Sequence, residues 1–204
     1  MQTHTKPQIE KIVLYECVEN YAKEITEMAQ GCEEMFNGWR KDELKLVYEV
    51  FNRVDVTLKY IIDKMDPFIQ KEGEKIVLAE ALKDKPLEMT KKMLDLKAQI
   101  DDLIAVSFKN DMRFQKARDQ AFQTFMNKFK NTPQFIALYL DHQQKEGFRQ
   151  INMPEIEKMI DAVIKLFCCL NGRDEFIEAY SVLLAERLLN KLSVNDEAEE
   201  AVIK

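Results

Sequence analysis

The chain has 204 residues, of which 46% are hydrophobic and 32% are charged, so it can bury a core and composition argues against a disordered protein. Only five Gly and five Pro occur, which favours helices over many short strands. The net charge of −6 comes from 36 acidic and 30 basic residues spread along the chain, which argues against a nucleic-acid partner.

The first half of the chain is predicted to form long amphipathic helices, because apolar residues recur at threes and fours. One helix is predicted over residues 9–35 and a second over residues 42–65, with Asp42 as its N-cap. Pro67 cannot donate a backbone hydrogen bond, so we expect a break near Asp66 and a shorter helix after it. A further helix is predicted over residues 87–108, followed by a turn at Asn110-Asp111.

A boundary is predicted at Asn131-Thr132-Pro133, because Thr as N-cap and Pro at the first helical position favour a helix start. We therefore divide the chain into residues 1–130 and residues 131–204. The second part is predicted to contain helices over residues 133–146, 154–170 and 174–190 and the start of another that is capped within residues 193–196.

The four cysteines predict a reducing compartment, because they show no secretory spacing and no signal-peptide pattern precedes them. The sequence also lacks a run of about eighteen apolar residues that could cross a bilayer. We therefore expect a soluble protein of the cytoplasm and nucleus with no membrane partner.

Candidate reactive residues lack the spacing that catalysis or metal binding needs. His4 and His142 have no further zinc ligands near them in the sequence. Cys168-Cys169 lies in an apolar run and its side chains point about 100° apart on a helix, so we expect two small core residues. The acid pairs Asp101-Asp102 and Glu199-Glu200 diverge in the same way, which favours solvated surface over acid and base catalysis.

Two further patterns are interpreted as structural. Gly147 and Gly172 are isolated helix stops, so no phosphate-binding loop can be drawn through them. Aromatic residues at helical spacing could form an exposed partner groove, but a core is favoured for Phe114, Phe122, Phe125 and Phe129. We therefore expect no catalytic, cofactor-binding or metal-binding residue, and the residues by themselves favour a scaffold or adaptor.

Six segments resemble, in order, the third repeat of the cullin family and the beginning of its C-terminal domain. Residues 1–40 match only as a generic long helix, Glu186 stands where the family usually has a basic residue, and Cys168-Cys169 stands where an aromatic pair is common. The segments are Lys41-Asp-Glu-Leu-Lys-Leu-Val-Tyr-Glu-Val-Phe-Asn-Arg-Val54, Phe68-Ile-Gln-Lys-Glu-Gly-Glu-Lys-Ile-Val77, Leu94-Asp-Leu-Lys97 with Ser107-Phe-Lys-Asn-Asp111 and Phe114, Ala121-Phe-Gln-Thr-Phe-Met-Asn127, Pro133-Gln-Phe-Ile-Ala-Leu-Tyr-Leu-Asp141, and Asn171-Gly-Arg-Asp-Glu-Phe-Ile-Glu-Ala-Tyr180 running into Leu184-Ala-Glu-Arg-Leu-Leu189.

The resemblance implies an all-α protein, with an elongated cullin-repeat bundle over residues 1–130 and the first helices of a second bundle over residues 131–204. It also implies a non-catalytic, rigid scaffold of a cullin-RING E3 ubiquitin ligase, which spaces the substrate-receptor adaptor from the RING/E2 module in ubiquitin-dependent protein degradation. In the family both partner sites lie outside the matched residues, so neither a RING-box protein nor an adaptor is expected to bind this fragment. The alternatives are a helical tethering or adaptor protein unrelated to ubiquitin and, with less support, an all-α enzyme.

Overall fold

The computed structural model describes Ile9, Ile12 and residues 15–28 and 31–203, and within these residues there is no β-strand. The all-α prediction is therefore confirmed. Short π-helical turns at Tyr15–Glu19 and Gln143–Gly147 and 3-10 turns at Asp55–Thr57 and Glu80–Leu82 lie between the α-helices. The α-helices are α1 (Ala22–Glu27), α2 (Cys32–Asn37), α3 (Lys41–Phe51), α4 (Leu58–Val77), α5 (Pro86–Phe108), α6 (Met112–Met126), α7 (Thr132–His142), α8 (Met153–Phe167), α9 (Arg173–Asn190) and α10 (Asp196–Ile203).

The prediction of one continuous helix over residues 9–35 is wrong, because α1 and α2 are separate helices with a turn between them. Met28 takes an extended backbone at ψ 159°, and the N–H of Gly31 donates to the Met28 carbonyl at 2.7 Å. A Cβ on Gly31 would lie 2.4 Å from the carbonyl oxygen of Thr26, so this tight turn requires glycine. Tyr21 and Met28, which the predicted apolar stripe included, are both exposed.

The helix predicted over residues 42–65 is divided in the structure, and the break predicted near Asp66 is absent. After α3, the hydroxyl of Thr57 donates to the carbonyls of Phe51 at 3.1 Å and Val54 at 2.8 Å, which satisfies acceptors that the helix end leaves open. Pro67 lies inside α4 with its ring on the exposed face. Burial on the other face outweighs the proline's cost of about 3 kcal/mol, and the buried residues are Leu58, Ile61, Met65, Phe68 and Ile69.

Two predicted N-caps are wrong, and one predicted turn is present. Asp42 is not the N-cap of α3, since that position is held by Arg40. Thr132 lies one residue inside α7, after Asn131 at the N-cap. The turn at Asn110-Asp111 is confirmed, because Oδ1 of Asp111 accepts the backbone N–H two residues further on at 2.9 Å.

The described residues form two compact units, one within residues 1–71 and 99–121 and the other within residues 72–98 and 122–204. Each has its own aromatic core. The prediction that the phenylalanine stripe is core is confirmed for Phe114, Phe122 and Phe125, which are fully buried, whereas Phe129 is only partly buried. The repeat boundary near residue 131 stays a prediction, because the start of α7 there does not by itself mark the end of a repeat. None of the helices in the described ranges is long and apolar enough to span a membrane.

Candidate functional site

The candidate reactive pairs do not converge in the structure. Asp101 pairs with Arg118, whereas Asp102 pairs with Lys41 on a different helix, so the predicted divergence of this acid pair is confirmed. His142 ends α7 with its Nε2 3.6 Å from Oε2 of the Glu146 side chain. His4 lies outside the described residues. Within the ranges that the structure describes, no group of three His, Cys, Asp or Glu side chains could hold a metal ion.

Two predictions about adjacent residues need correction. Cys169 is buried as expected, but Cys168 is exposed, because the chain leaves α8 at this point and only one of the two side chains faces the core. Glu200 is exposed as expected, but Glu199 is 4% exposed and lies in the interior. A buried carboxylate needs partners, and those of Glu199 define the main polar feature of the second unit.

That feature is a buried polar cluster formed by Asp141, Tyr180, Arg187 and Glu199, called the Arg187 cluster below. Nε and Nη2 of Arg187 donate to the two carboxylate oxygens of Glu199 at 2.8 and 3.0 Å. Nη1 donates to Oδ1 of Asp141 at 2.5 Å, and Nη2 also donates to the Tyr180 hydroxyl at 3.0 Å. The Arg187 side chain has no exposed surface, so the guanidinium is enclosed by the groups that it binds.

The charges of the Arg187 cluster are balanced at its edge. Nζ of Lys145 lies 3.0 Å from Oδ2 of Asp141, and the Ser193 hydroxyl donates to Oε1 of Glu199 at 2.7 Å. Burial disfavours the charged guanidinium, but its hydrogen bonds to Glu199 and Asp141 hold the pKa of Arg187 above its ordinary value. The Arg187 guanidinium therefore stays charged across the physiological pH range.

The Arg187 cluster connects three helices, since Asp141 lies on α7, Tyr180 and Arg187 on α9, and Glu199 on α10. Tyr180 and Arg187 are seven residues apart, which is two helical turns, so both project from the same face of α9. Because every member is at least nine-tenths buried, the cluster offers no accessible base or nucleophile to a substrate. Its arrangement suits a structural role in which the hydrogen bonds hold α7, α9 and α10 together.

A second contact holds α10 in the same unit. The side-chain amide of Gln144 donates to the carbonyl of Ala198 at 3.1 Å, and the N–H of Val194 donates to the Gln144 carbonyl at 3.0 Å. Beside these bonds α10 also contributes to an apolar cluster of buried residues, which are Phe148, Ile156, Ile160 and Ala198. The short final helix is thus held by both polar and apolar contacts.

The first unit has a comparable set of hydrogen bonds around the carboxylate of Asp111. The Tyr48 hydroxyl donates to Oδ2 of Asp111 at 3.2 Å, and Arg113 donates to the same oxygen at 2.6 Å. Hydrogen bonds from Arg113 hold the pKa of Asp111 below its ordinary value. The rings of Phe108 and Phe114 stack with centroids 4.0 Å apart, and the Tyr48 ring lies edge-on to Phe114. The family-like pattern Phe-x-x-Asp-x-x-Phe therefore forms a single packing unit with α3.

The sequence contained only part of the information needed to find the Arg187 cluster. Asp141, Tyr180 and Arg187 lie in family-like segments that do not by themselves indicate a role for them, and the sequence pattern predicts Glu199 at the surface. The seven-residue spacing on α9 could have placed Arg187 on the buried face. Its acidic partners could not have been found in this way, because they lie 46 and 12 residues away along the chain.

Comparison with known proteins matches the whole chain to one family. The family model described as the Cullin alpha solenoid domain matches residues 1–204. Cullin-3A of Arabidopsis thaliana is 28% identical over 204 residues, which are 100% of this chain and 28% of that protein. Cullin-3 of Dictyostelium discoideum is 26% identical over 204 residues, again 100% of this chain and 26% of that protein.

A similar match is found in an animal relative. Cullin-4A of Mus musculus is 30% identical over 194 residues, which are 93% of this chain and 25% of that protein. The chain therefore spans about a quarter of the length of the curated relatives described here.

Proposed function

The chain belongs to the cullin family, and on that premise we propose that it is a scaffold segment of a cullin-RING E3 ubiquitin ligase. In this role it spaces the substrate-receptor adaptor from the RING/E2 module in ubiquitin-dependent protein degradation. The match of all 204 residues to the Cullin alpha solenoid domain carries the proposal. The alternative of a tethering protein unrelated to ubiquitin is not supported, because the relatives that match are cullins.

The interior of each unit supports a non-catalytic role as a rigid scaffold. Close-packed cores transmit position because they resist compression, and each unit contains fully buried aromatic side chains. The Arg187 cluster adds directional bonds that fix three helices at one point. We propose that this part of the ligase acts by keeping the adaptor and the RING/E2 module at a fixed separation. In this proposal residues 1–130 are a cullin repeat and residues 131–204 are the start of the C-terminal bundle.

The proposed partners bind elsewhere in a full-length cullin. A RING-box protein and a substrate-receptor adaptor would join the complex through regions outside these 204 residues, and no nucleic acid or membrane is proposed as a partner. We place the protein in the cytoplasm and nucleus. The four free cysteines support this location, because disulfides are rare in those compartments.

The scaffold role is testable in a chimera of Cullin-3A in which residues 1–204 replace the matching 28% of that protein. We expect the chimera to hold adaptor and RING-box protein in one complex and to support ubiquitin transfer to a bound substrate. The matched control replaces the same segment with a Gly/Ser linker of equal length, which is flexible and should lose transfer. Equal transfer by the linker control, or a folded chimera that assembles but does not transfer, would contradict the proposal.

The partner assignment has its own test with the isolated chain. Purified residues 1–204 should capture neither a RING-box protein nor an adaptor in a pull-down. Full-length Cullin-3A provides the positive control. Capture of either partner by the isolated chain, at a yield close to that control, would show that a partner site lies within these residues.

A further inference from the structure

The orientation of α10 depends on few contacts. The helix has 8 residues, Asp196–Ile203, and helices shorter than about 12 residues are not stable by themselves in water. Among the side chains of α10 that the structure describes, those of residues 196–202, the buried ones are Ala198 and Glu199. The direction of α10 is therefore set by what these two residues contact in the rest of the second unit.

The apolar contacts of α10 attach it to the unit without selecting one orientation. Ala198 belongs to the buried cluster that contains Phe148 and Ile156, and Ala201 and Val202 pack against that cluster. Such contacts are stabilised by the apolar area that they remove from water, which has no preferred direction. Because Ala and Val are short, a helix rotated by part of a turn would still bury a similar area.

The contact between Glu199 and Arg187 is directional. Both carboxylate oxygens of Glu199 accept hydrogen bonds from the guanidinium, at 2.8 and 3.0 Å. A bidentate pair of this kind requires the two planar groups to face each other in one geometry. Successive residues of a helix point about 100° apart, so a rotation of α10 by one residue would remove Glu199 from the guanidinium.

The guanidinium is also fixed from the side opposite α10. It donates to Oδ1 of Asp141 on α7 at 2.5 Å and to the hydroxyl of Tyr180 on α9 at 3.0 Å. Replacing a whole buried ion network by apolar residues of similar volume is often neutral for stability. The contribution that apolar packing cannot replace is therefore the single orientation in which Arg187 accepts Glu199.

We propose that the Arg187 cluster fixes the orientation of α10 and thereby the direction in which a full-length cullin continues from this segment towards the RING/E2 module. This inference rests on the proposed scaffold function, in which the adaptor and the RING/E2 module keep a fixed separation. Arg187 acts as a positioning residue, because its guanidinium is buried and affects the module only through α10. An angular change at α10 displaces the module in proportion to its distance from the helix.

The test makes the cluster apolar in the Cullin-3A chimera that carries residues 1–204. Asp141→Leu, Tyr180→Phe, Arg187→Met and Glu199→Met keep the approximate size of the four side chains. The 204-residue chain with these changes should unfold in urea at about the midpoint of the unchanged chain. In the assembled chimera, single-molecule fluorescence energy transfer between a labelled adaptor and a labelled RING-box protein should change from one narrow distance distribution to a broad one. Ubiquitin transfer to a bound substrate should fall about tenfold, because the reacting groups are no longer held in place.

A second variant and a control separate orientation from stability. Arg187→Lys keeps the positive charge but loses the planar fork that binds a carboxylate at two points, so it should also broaden the distance distribution. Phe122→Leu is the matched control, because it weakens the buried core of the same unit at a residue outside the cluster. The control should leave the distribution narrow and ubiquitin transfer close to that of the unchanged chimera.

A narrow distribution with undiminished transfer in the apolar variant would overturn the inference. Equal broadening by Phe122→Leu would also overturn it, because the effect would then follow from a general loss of stability. If the apolar variant does not fold, the same criteria apply to Arg187→Lys.

A chimera with the unchanged segment that fails to transfer ubiquitin would contradict the scaffold function instead. The role of the cluster is then decided by hydrogen exchange in the 204-residue chain. Arg187→Lys should speed exchange of the amides of residues 200–202 about tenfold relative to those of α9, because α10 opens more often. Unchanged exchange would refute the role of Arg187 in fixing α10.

Discussion

Replacing Arg187 with methionine is the most informative single change to this fold. Arg187→Met removes the four hydrogen bonds that the guanidinium donates to Glu199, Asp141 and Tyr180. Methionine has a similar length and is apolar, so the change leaves two carboxylates in the interior without creating a large cavity. The main cost therefore comes from buried negative charge that has lost its partner.

The size of the loss follows from what the carboxylates retain. Removing one member of a buried ion pair typically costs about 3–5 kcal/mol. Asp141 keeps Lys145 at 3.0 Å, and Glu199 keeps the hydroxyl of Ser193 at 2.7 Å. Because neither carboxylate is left without any partner, we expect a loss of about 3–4 kcal/mol, the lower part of that range.

The assay is urea unfolding followed by circular dichroism. Arg149→Met is the matched control, because its side chain is exposed in the same unit and the change should alter stability by less than about 0.5 kcal/mol. Adding Glu199→Met to Arg187→Met removes one stranded carboxylate and should recover part of the loss. If Arg187→Met costs less than about 1 kcal/mol, or if the two changes are simply additive, the cluster does not hold the helices as described.

Three further changes test other parts of the fold by urea unfolding. Phe122→Ala should cost about 3–5 kcal/mol, because the ring is fully buried; a loss below about 1 kcal/mol would indicate an exposed interaction face instead. Gly73→Ala should destabilise by about 1–3 kcal/mol, since a Cβ there would lie 2.3 Å from the Phe125 ring; a gain in stability, as at an open helical glycine, would refute this close packing. Asp111→Asn should lower stability near neutral pH and flatten its acid dependence, because Arg113 lowers the folded pKa of Asp111. The ionised carboxylate stabilises the fold above its unfolded pKa, and this stability is lost as pH falls through the lowered folded value. Curves for Asp111→Asn and the unchanged chain should therefore converge in acid, and parallel curves would contradict the assignment.

The helices of the second part could be predicted because capping residues and helix-ending glycines lie at their ends. The predicted helix over residues 174–190 differs by one residue from α9, which begins after Gly172. The start of α10 was also found, because Asn195 accepts hydrogen bonds from the N–H groups of Glu197 and Ala198 as a cap should. Where a cap or a glycine ends a helix, a few neighbouring residues contain the necessary information.

The first part was harder to predict because its apolar stripe is compatible with one helix or with several. The contact that decides between them is the approach of Gly31 to the Thr26 carbonyl, which periodicity cannot show. The break expected at Pro67 is absent for the opposite reason. Burial of the other face of α4 compensates for the missing backbone bond, and burial depends on helices distant in sequence.

By itself, the sequence determined the helical class, the family and most helix ends of the second part, because helical periodicity and caps act over about one to three turns. Only the tertiary structure decided where α1 and α2 separate, that α4 passes through Pro67, and that Glu199 lies inside. It also brought Arg187 to Asp141, 46 residues away. The physical reason is that the position of a charged residue depends on whether its partners share the interior, and those partners come from other helices.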